Sequence, residues 1–302
     1  MTIKVLDFNQ KYTVPIVLSL GFFDCIHLGH KALITEANSI AKDLGAESFV
    51  LTFSNDPGEI FGKPKQIYSF DDRVQIVKNL GADGVISAKF DQKFADLSPN
   101  AFLDKLFSSF VVKAVVSGAD YTFGSHADGD VGFLQDYCKN IGVFVKTVPF
   151  ECVNGEKLST RDLKFLVERG DVKTLNEYLS EPYFVAGEVL HAKQNGTRMG
   201  FPTANVKIAA DRLLIGDGVY ATKTIVDGVS YPSMTNVGAK PTFNDFSRTI
   251  ETHVIGFFGD LYGKTVKIEF YERIRDIIHF ASMDDLRTQL TKDEQFVKSL
   301  FR

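Results

Sequence analysis

The run Leu20-Gly-Phe-Phe-Asp-Cys-Ile-His-Leu-Gly-His30 follows directly on an apolar segment, Pro15 to Leu20. That junction constrains the fold more than any other feature of the chain. Pro-Ile-Val-Leu-Ser-Leu reads as a buried strand. From about Lys31 to Leu44, Leu33, Ile34, Ala37, Ile40 and Ala41 recur at helical spacing, and Gly45 ends the run. A strand, a Gly-containing turn and a helix N-terminus leave free backbone amides and the positive end of a helix dipole at one edge, a ready place for an anion. His27 and His30 add side-chain donors there. A nucleotide phosphate is the anion this edge suits best.

Up to about Leu179 strand-like and helix-like segments alternate. Strands are predicted at Ser48 to Phe53, Gly84 to Ala88, Val111 to Ser117 and Val143 to Val148. Helices are predicted at Asp71 to Leu80, Pro99 to Phe110 (capped by Ser98), Phe133 to Asn140, Thr160 to Arg169 and Val172 to Leu179. This succession implies an α/β domain with a parallel sheet. From Tyr183 the texture changes to short β-rich runs, Phe184 to Leu190, Gly218 to Val226 and Val266 to Tyr271, separated by Gly, Pro, Asn and Asp turns. Helical periodicity returns from about Ser282 to Leu300, with Leu286, Leu290, Phe296 and Leu300 on one face. The expectation is a small antiparallel β-barrel with a terminal helix. The boundary is placed near Ser180-Glu-Pro182, giving domains 1–180 and 181–302, and 302 residues suffice for two cores.

The formal net charge of −4 excludes a bulk electrostatic grip on nucleic acid or on an anionic membrane, so any phosphate site must be local. No run approaches the ~18 apolar residues of a membrane span. Three cysteines without CxxC spacing (Cys25, Cys138, Cys152) fit a reducing compartment rather than a disulfide framework. The expected setting is cytoplasmic, with no obligatory protein partner.

Further residues carry chemistry. Gly118-Ala-Asp-Tyr-Thr-Phe-Gly124 follows a strand and so lies on the carboxyl edge where α/β ligands bind; Asp120 could take a hydroxyl or amino group. Ser159-Thr-Arg-Asp-Leu-Lys164 opens a helix with hydroxyls and cations in one turn, which suits a second phosphate. In the second half, Gly196 and Gly200 bracket a basic loop with Arg198, able to fold over a triphosphate. Pro202 fixes an extended segment on which Thr203 and Asn205 face one side, and their oxygens are hard ligands suited to Mg²⁺. Glu251 sits in a strand, where an acid is costly to bury without a partner. Singly, each has a plainer reading as a helix cap, a strand-edge charge or, at Asn236 to Gly238, a turn.

In combination they resemble a known group. Gly21-Phe-Phe-Asp-Cys-Ile-His-Leu-Gly-His30 and Phe102 to Gly129 are similar to the HxGH nucleotidyltransferases, specifically the N-terminal half of the bifunctional bacterial riboflavin kinase/FMN adenylyltransferases (FAD synthetases). Gly187-Glu-Val189, His191, Gly196-Thr-Arg198, Gly200-Phe-Pro-Thr-Ala-Asn205, Gly218-Val-Tyr220, Asn236-Val-Gly238, Lys240-Pro-Thr-Phe243, Glu251-Thr-His253 and Asp260-Leu-Tyr-Gly263 match the other half. Thr197 to Lys207 closely resembles the riboflavin kinase signature, and the resemblance covers nearly the whole chain.

The resemblance implies a Rossmann-like first domain and a kinase barrel. Riboflavin is phosphorylated by ATP to FMN, and FMN is adenylylated by a second ATP to FAD with release of pyrophosphate. It implies that His27 and His30 stabilise charge on ATP phosphates, with Gly21, Phe23, Asp24, Gly29 and Asp120 around the nucleotide and Ser159, Thr160 and Lys164 on the pyrophosphate. In the barrel, Gly196, Arg198, Gly200 and Pro202 would cover ATP, Thr203 and Asn205 would hold Mg²⁺, and Glu251 would be the general base. Asn236, Arg275 and Phe280 would serve the flavin. Three positions depart from the family pattern: Cys25 replaces Gly, Ser54-Asn-Asp-Pro57 lacks a histidine, and Lys164 replaces Arg, losing the bidentate fork. These departures keep open a second reading, a kinase whose N-terminal domain is non-catalytic.

Overall fold

The computed structural model describes residues 2–61, 66–149, 159–191, 200–208, 212–239 and 248–302. The chain divides into two compact units, Met1–Leu158 and Ser159–Arg302.

The first unit runs β1 (Lys4–Asp7), β2 (Tyr12–Leu20), α1 (Leu28–Leu44), β3 (Glu47–Phe53), α2 (Phe70–Asn79), β4 (Gly84–Ala88), α3 (Gln92–Ala95), α4 (Pro99–Ser109), β5 (Phe110–Gly118), α5 (Val131–Asn140) and β6 (Phe144–Val148). Its six strands form one sheet in the order β1-β4-β3-β2-β5-β6, and every pairing is parallel. Ile16, Leu18, Leu20, Phe49, Leu51 and Val115 are buried together with Phe102, Leu103 and Leu106 of α4. Strands covered on both faces explain why β2, β3 and β5 read as apolar runs rather than alternations. The order reverses between β2 and β5. Ligands of open α/β sheets bind at the carboxyl ends of the strands at such a switch point. The sequence reading did not name β1, since of its four residues only Leu6 is buried.

The second unit begins with α6 (Thr160–Arg169) and α7 (Val172–Tyr178), followed by β7 (Phe184–Leu190), β8 (Ala204–Val206), β9 (Gly218–Val226), β10 (Val229–Ala239), β11 (Arg248–Val254), β12 (Thr265–Arg275) and α8 (Met283–Leu300). The strands close an antiparallel barrel in the order β10-β11-β8-β7-β12-β9. Asp227 and Gly228, both at positive φ (49° and 82°), make the two-residue turn between β9 and β10 that right-twisted hairpins favour.

The helical pair α6–α7 packs with the barrel, so this unit starts earlier than the expected boundary near Ser180. The Gly216 amide donates to the Val167 carbonyl at 2.8 Å. Asn176 donates to the Phe270 carbonyl and accepts from the Tyr183 amide, both at 2.8 Å. Leu163, Val167, Val172 and Leu175 supply the buried side of the pair.

The interior of the barrel carries a patch of hydroxyls. Thr222, Thr224, Ser233, Thr235 and Thr252 are fully buried. They satisfy one another at 2.7–3.3 Å, for example Thr222 with Thr235 at 2.7 Å and Thr235 with Thr252 at 2.9 Å. Mutual hydrogen bonding is what makes such burial tolerable.

Candidate active sites

In the first unit, the turn leaving β2 reaches the switch point in a strained form. Phe23 and Ile26 lie at φ 56° and 37°, a region that side-chain-bearing residues rarely occupy and that costs of order 1–3 kcal/mol each. Strain of this kind persists only where the surroundings enforce it. Here they do: Asp24 is buried, and its carboxylate accepts the Ile67 amide at 2.8 Å. The Phe22 carbonyl accepts from Thr52 Oγ1 at 2.5 Å and from Arg73 at 3.2 Å.

Arg73 is the residue the sequence reading missed. Its guanidinium is fully buried and bridges the two strand ends, bonding Thr52 Oγ1 at 2.7 Å and the Phe53 carbonyl at 2.8 Å. Burial pulls its pKa down to about 10, opposed by the nearby Asp24, Asp56 and Asp72. It therefore stays charged at neutral pH. The signal was its position with Ile76 and Val77 at helical spacing, in the buried stripe of α2.

His27 is the N-cap of α1, its Nδ1 accepting from the His30 amide at 3.3 Å. The two imidazoles stack with centroids 3.9 Å apart, and His30 also lies against Phe23 at 4.8 Å. Burial, with His27 alongside, holds the pKa of His30 well below the ordinary imidazole value, so its ring is neutral at pH 7. The glycines permit this packing. A Cβ on Gly29 would come within 2.9 Å of the His27 ring, and one on Gly21 within 2.9 Å of the Phe23 ring. Asp120 lies exposed just beyond β5, the other strand of the switch point. The sheet thus brings Gly21, Phe23, Asp24, His27, Gly29, His30 and Asp120 to one edge.

Two expectations take a different form. Asn55, beside the position of the absent histidine, is taken up locally: its Oδ1 accepts the Phe90 amide at 2.8 Å, and its Nδ2 donates to the Phe90 carbonyl at 3.0 Å and to Glu59 Oε2 at 2.9 Å. Ser159, Thr160 and Lys164 belong to the second unit, not to the unit of His27 and His30. Ser159 is drawn into a capping box with Asp162, at 2.7 Å between hydroxyl and carboxylate. The hydroxyl expected on a phosphate thus serves the helix, and an acid stands in its first turn.

In the barrel, strand register makes the second constellation. Glu251 of β11 lies opposite Asn205 of β8 on one side and Asn236 of β10 on the other. Their neighbours Ala204, Thr252 and Thr235 point into the barrel, so alternation puts Asn205, Glu251 and Asn236 in one row on the outer face. Asn236 to Gly238 is therefore strand, not turn. Glu251 is half-buried, with Oε1 fully enclosed. Thr203 lies two residues before Asn205 and is exposed.

His253, quoted in the sequence motif but given no role there, bonds the Pro202 carbonyl through Nδ1 at 2.8 Å and meets Phe201 edge-on at 5.4 Å. It fixes the segment leading into Thr203 and Asn205. Phe201 is anchored among Val219, Met234 and Val297 of α8. Arg275, expected at the flavin, forms an ion pair with the buried Asp293 of α8 at 2.8 Å, and its guanidinium lies 5.8 Å from the Phe280 ring. Gly200 is at φ 84°, a left-handed conformation suited to glycine. Gly196, Arg198 and Lys240 to Phe243 lie outside the described residues.

Oxygen donors such as those of Thr203 and Asn205 are the hard kind that Mg²⁺ takes, so these residues fit that ion. Among the described residues, no helix is long and apolar enough to cross a membrane.

Residues 9–162 match the FAD synthetase family and residues 179–301 the riboflavin kinase family. The chain belongs to the bifunctional riboflavin kinase/FMN adenylyltransferase family. It is 33% identical over 291 residues to the bifunctional riboflavin kinase/FMN adenylyltransferase of Listeria monocytogenes, covering 94% of this chain and 92% of that one. It is also 33% identical over 293 residues to the Bacillus subtilis protein of the same description, covering 92% and 90%. The crystal structure of a macrolide-efflux protein from Streptococcus pneumoniae is similar over 95% of this chain and 98% of its own, with a TM-score of 0.84 and 29% identity.

Proposed function

We propose that this chain phosphorylates riboflavin on the barrel and adenylylates FMN at the β2–β5 edge, producing FAD and pyrophosphate. The observation that carries the reading is the cross-strand row Asn205–Glu251–Asn236 beside the Gly-Phe-Pro-Thr segment, together with stacked His27 and His30 at a sheet switch point.

On the barrel, Glu251 takes the proton from the ribityl 5′-hydroxyl as that oxygen attacks the γ-phosphorus of ATP. Thr203 and Asn205 are assigned to Mg²⁺ and Asn236 to the flavin. Mg²⁺ bound there would neutralise charge on the transferring phosphoryl group. His253 and Phe201 keep the metal-holding segment in place. In the other unit the nucleophile is the FMN phosphate, already ionised at pH 7, so no base is needed. His27 and the neutral His30 donate hydrogen bonds to the ATP phosphates as charge develops on them. Gly196, Arg198, Gly200 and Pro202 are assigned to the cover over the kinase nucleotide.

A chromatographic product assay with purified protein, ATP, Mg²⁺ and either riboflavin or FMN tests both steps. FAD from both starts is the expected result. FMN accumulating with no FAD from either start would reduce the protein to a kinase with a silent first unit. For the barrel, Glu251→Gln should lower FMN formation at least ~100-fold with ATP binding retained, the typical contribution of a positioned base. Near-normal turnover in that variant would remove Glu251 from the role.

A further inference from the structure

We propose that Cys25, His27 and His30 form a binding site for a thiophilic divalent metal of the zinc class, and that filling it blocks adenylyl transfer. One donor atom from each side chain lies within 4.8 Å of the other two. Cys25 is fully buried, and His30 Nδ1 is enclosed with no hydrogen-bond partner among the described residues. His27 uses Nδ1 to cap α1, so its bond to the metal would be made through Nε2.

One sulfur and two imidazole nitrogens, with a fourth position open, make the donor set of a reactive zinc site. The same set discriminates against Mg²⁺, which takes oxygen ligands. Metal–ligand bonds of about 2.0–2.3 Å place tetrahedral donors about 3.3–3.7 Å apart, so the cluster contracts by about an ångström on binding. Rotation of the half-exposed His27 out of its stack against His30 supplies that movement and turns its ring plane toward the ion. Binding involves no redox step: the thiol releases its proton to solvent and the thiolate and two neutral imidazoles each donate an electron pair. The consequence for catalysis rests on the proposed adenylyl transfer, because imidazoles held by a metal cannot serve the ATP phosphates. The binding itself does not depend on that reading.

Co²⁺ is the probe, added to the purified full-length protein. The expected result is one bound equivalent with a thiolate-to-cobalt charge-transfer band in the near ultraviolet. Zn²⁺ should displace it. Cys25→Ala and Cys25→Ser, both checked by circular dichroism, should lose the band, while Cys138→Ala and Cys152→Ala keep it. Zinc should then inhibit FAD formation from FMN, ATP and Mg²⁺, with the half-inhibitory concentration at least ~10-fold higher in Cys25→Ala, since even partners of metal ligands carry ~10–100-fold in affinity. The same zinc should leave FMN formation unchanged. Cobalt bound without the sulfur band, a band that survives in Cys25→Ala, or equal zinc inhibition of both proteins would overturn the proposal. If the untreated enzyme makes no FAD, the adenylyl-transfer reading fails, while the cobalt spectrum still decides the site.

Discussion

At the scale of single residues, Gly29 and His30 show how packing sets chemistry. The His27 ring rests on the face of Gly29 so closely that an added methyl would stand 2.9 Å from its Cε1. Gly29→Ala must therefore displace the ring while leaving the sheet intact. Misplacing a catalytic group by about an ångström can lower rate by ~10²-fold. FAD formation should fall by about that factor, with FMN formation and the far-ultraviolet spectrum unchanged; a fully active variant would detach His27 from the reaction. His30 makes a second prediction. Its folded pKa lies well below 6.5 because its ring is buried, so the unfolded chain takes up a proton that the folded chain refuses. Stability from this group is full above the unfolded pKa and is lost as pH falls below about 6.5. Urea titrations from pH 7.5 to 5 should show a declining stability, with a shallower decline in His30→Gln. Both histidines were legible from the junction of strand, glycine turn and helix. Arg73 and His253 were not, because their roles depend on carbonyls at Phe22, Phe53 and Pro202, distant in sequence.

At the scale of elements, the terminal helix is the instructive case. Its amphipathic character was readable, but not its face. Leu286, Leu290, Phe296 and Leu300 were expected together, whereas the buried residues are Asp293 and Val297, with Leu290 partly buried beside them, and Phe296 and Leu300 are exposed. A carboxylate reads as solvent-facing until its cation is known, and Arg275 of β12 supplies it at 2.8 Å, with Gln289 bonding the other oxygen at 2.8 Å. Asp293→Ala would strand a largely buried guanidinium. Breaking a buried pair from one side costs about 3–5 kcal/mol. The variant should lose about 3 kcal/mol by chemical denaturation, and Phe201, packed on this helix, should lose its fixed position, raising the KM for ATP in FMN formation. A loss within 0.5 kcal/mol would mean that α8 is held by its apolar contacts alone.

At the scale of the whole molecule, the change from alternating helices and strands to dense β-runs announced a parallel sheet followed by a barrel, because each architecture imposes its own hydrophobic period. Where one unit gives way to the other was less legible. The pair α6–α7 has the helical period of the first half, yet its buried side is completed by Gly216, Phe270 and Tyr183 of the barrel. The hydroxyl patch inside the barrel was invisible too, since threonine alternation reads equally well as a solvated face. Division into two packing units carries a functional expectation. The phosphate edge with His27 and His30 lies wholly in the first, the row Asn205–Glu251–Asn236 wholly in the second. Damage to one constellation should leave the other's chemistry standing. His27→Asn is the informative change, because asparagine can still cap α1 while removing the imidazole. Combined with His30→Gln, it should abolish FAD formation from FMN while riboflavin phosphorylation proceeds at the parental rate, so FMN accumulates. Loss of both activities in a folded double variant would mean that the two chemistries share a site.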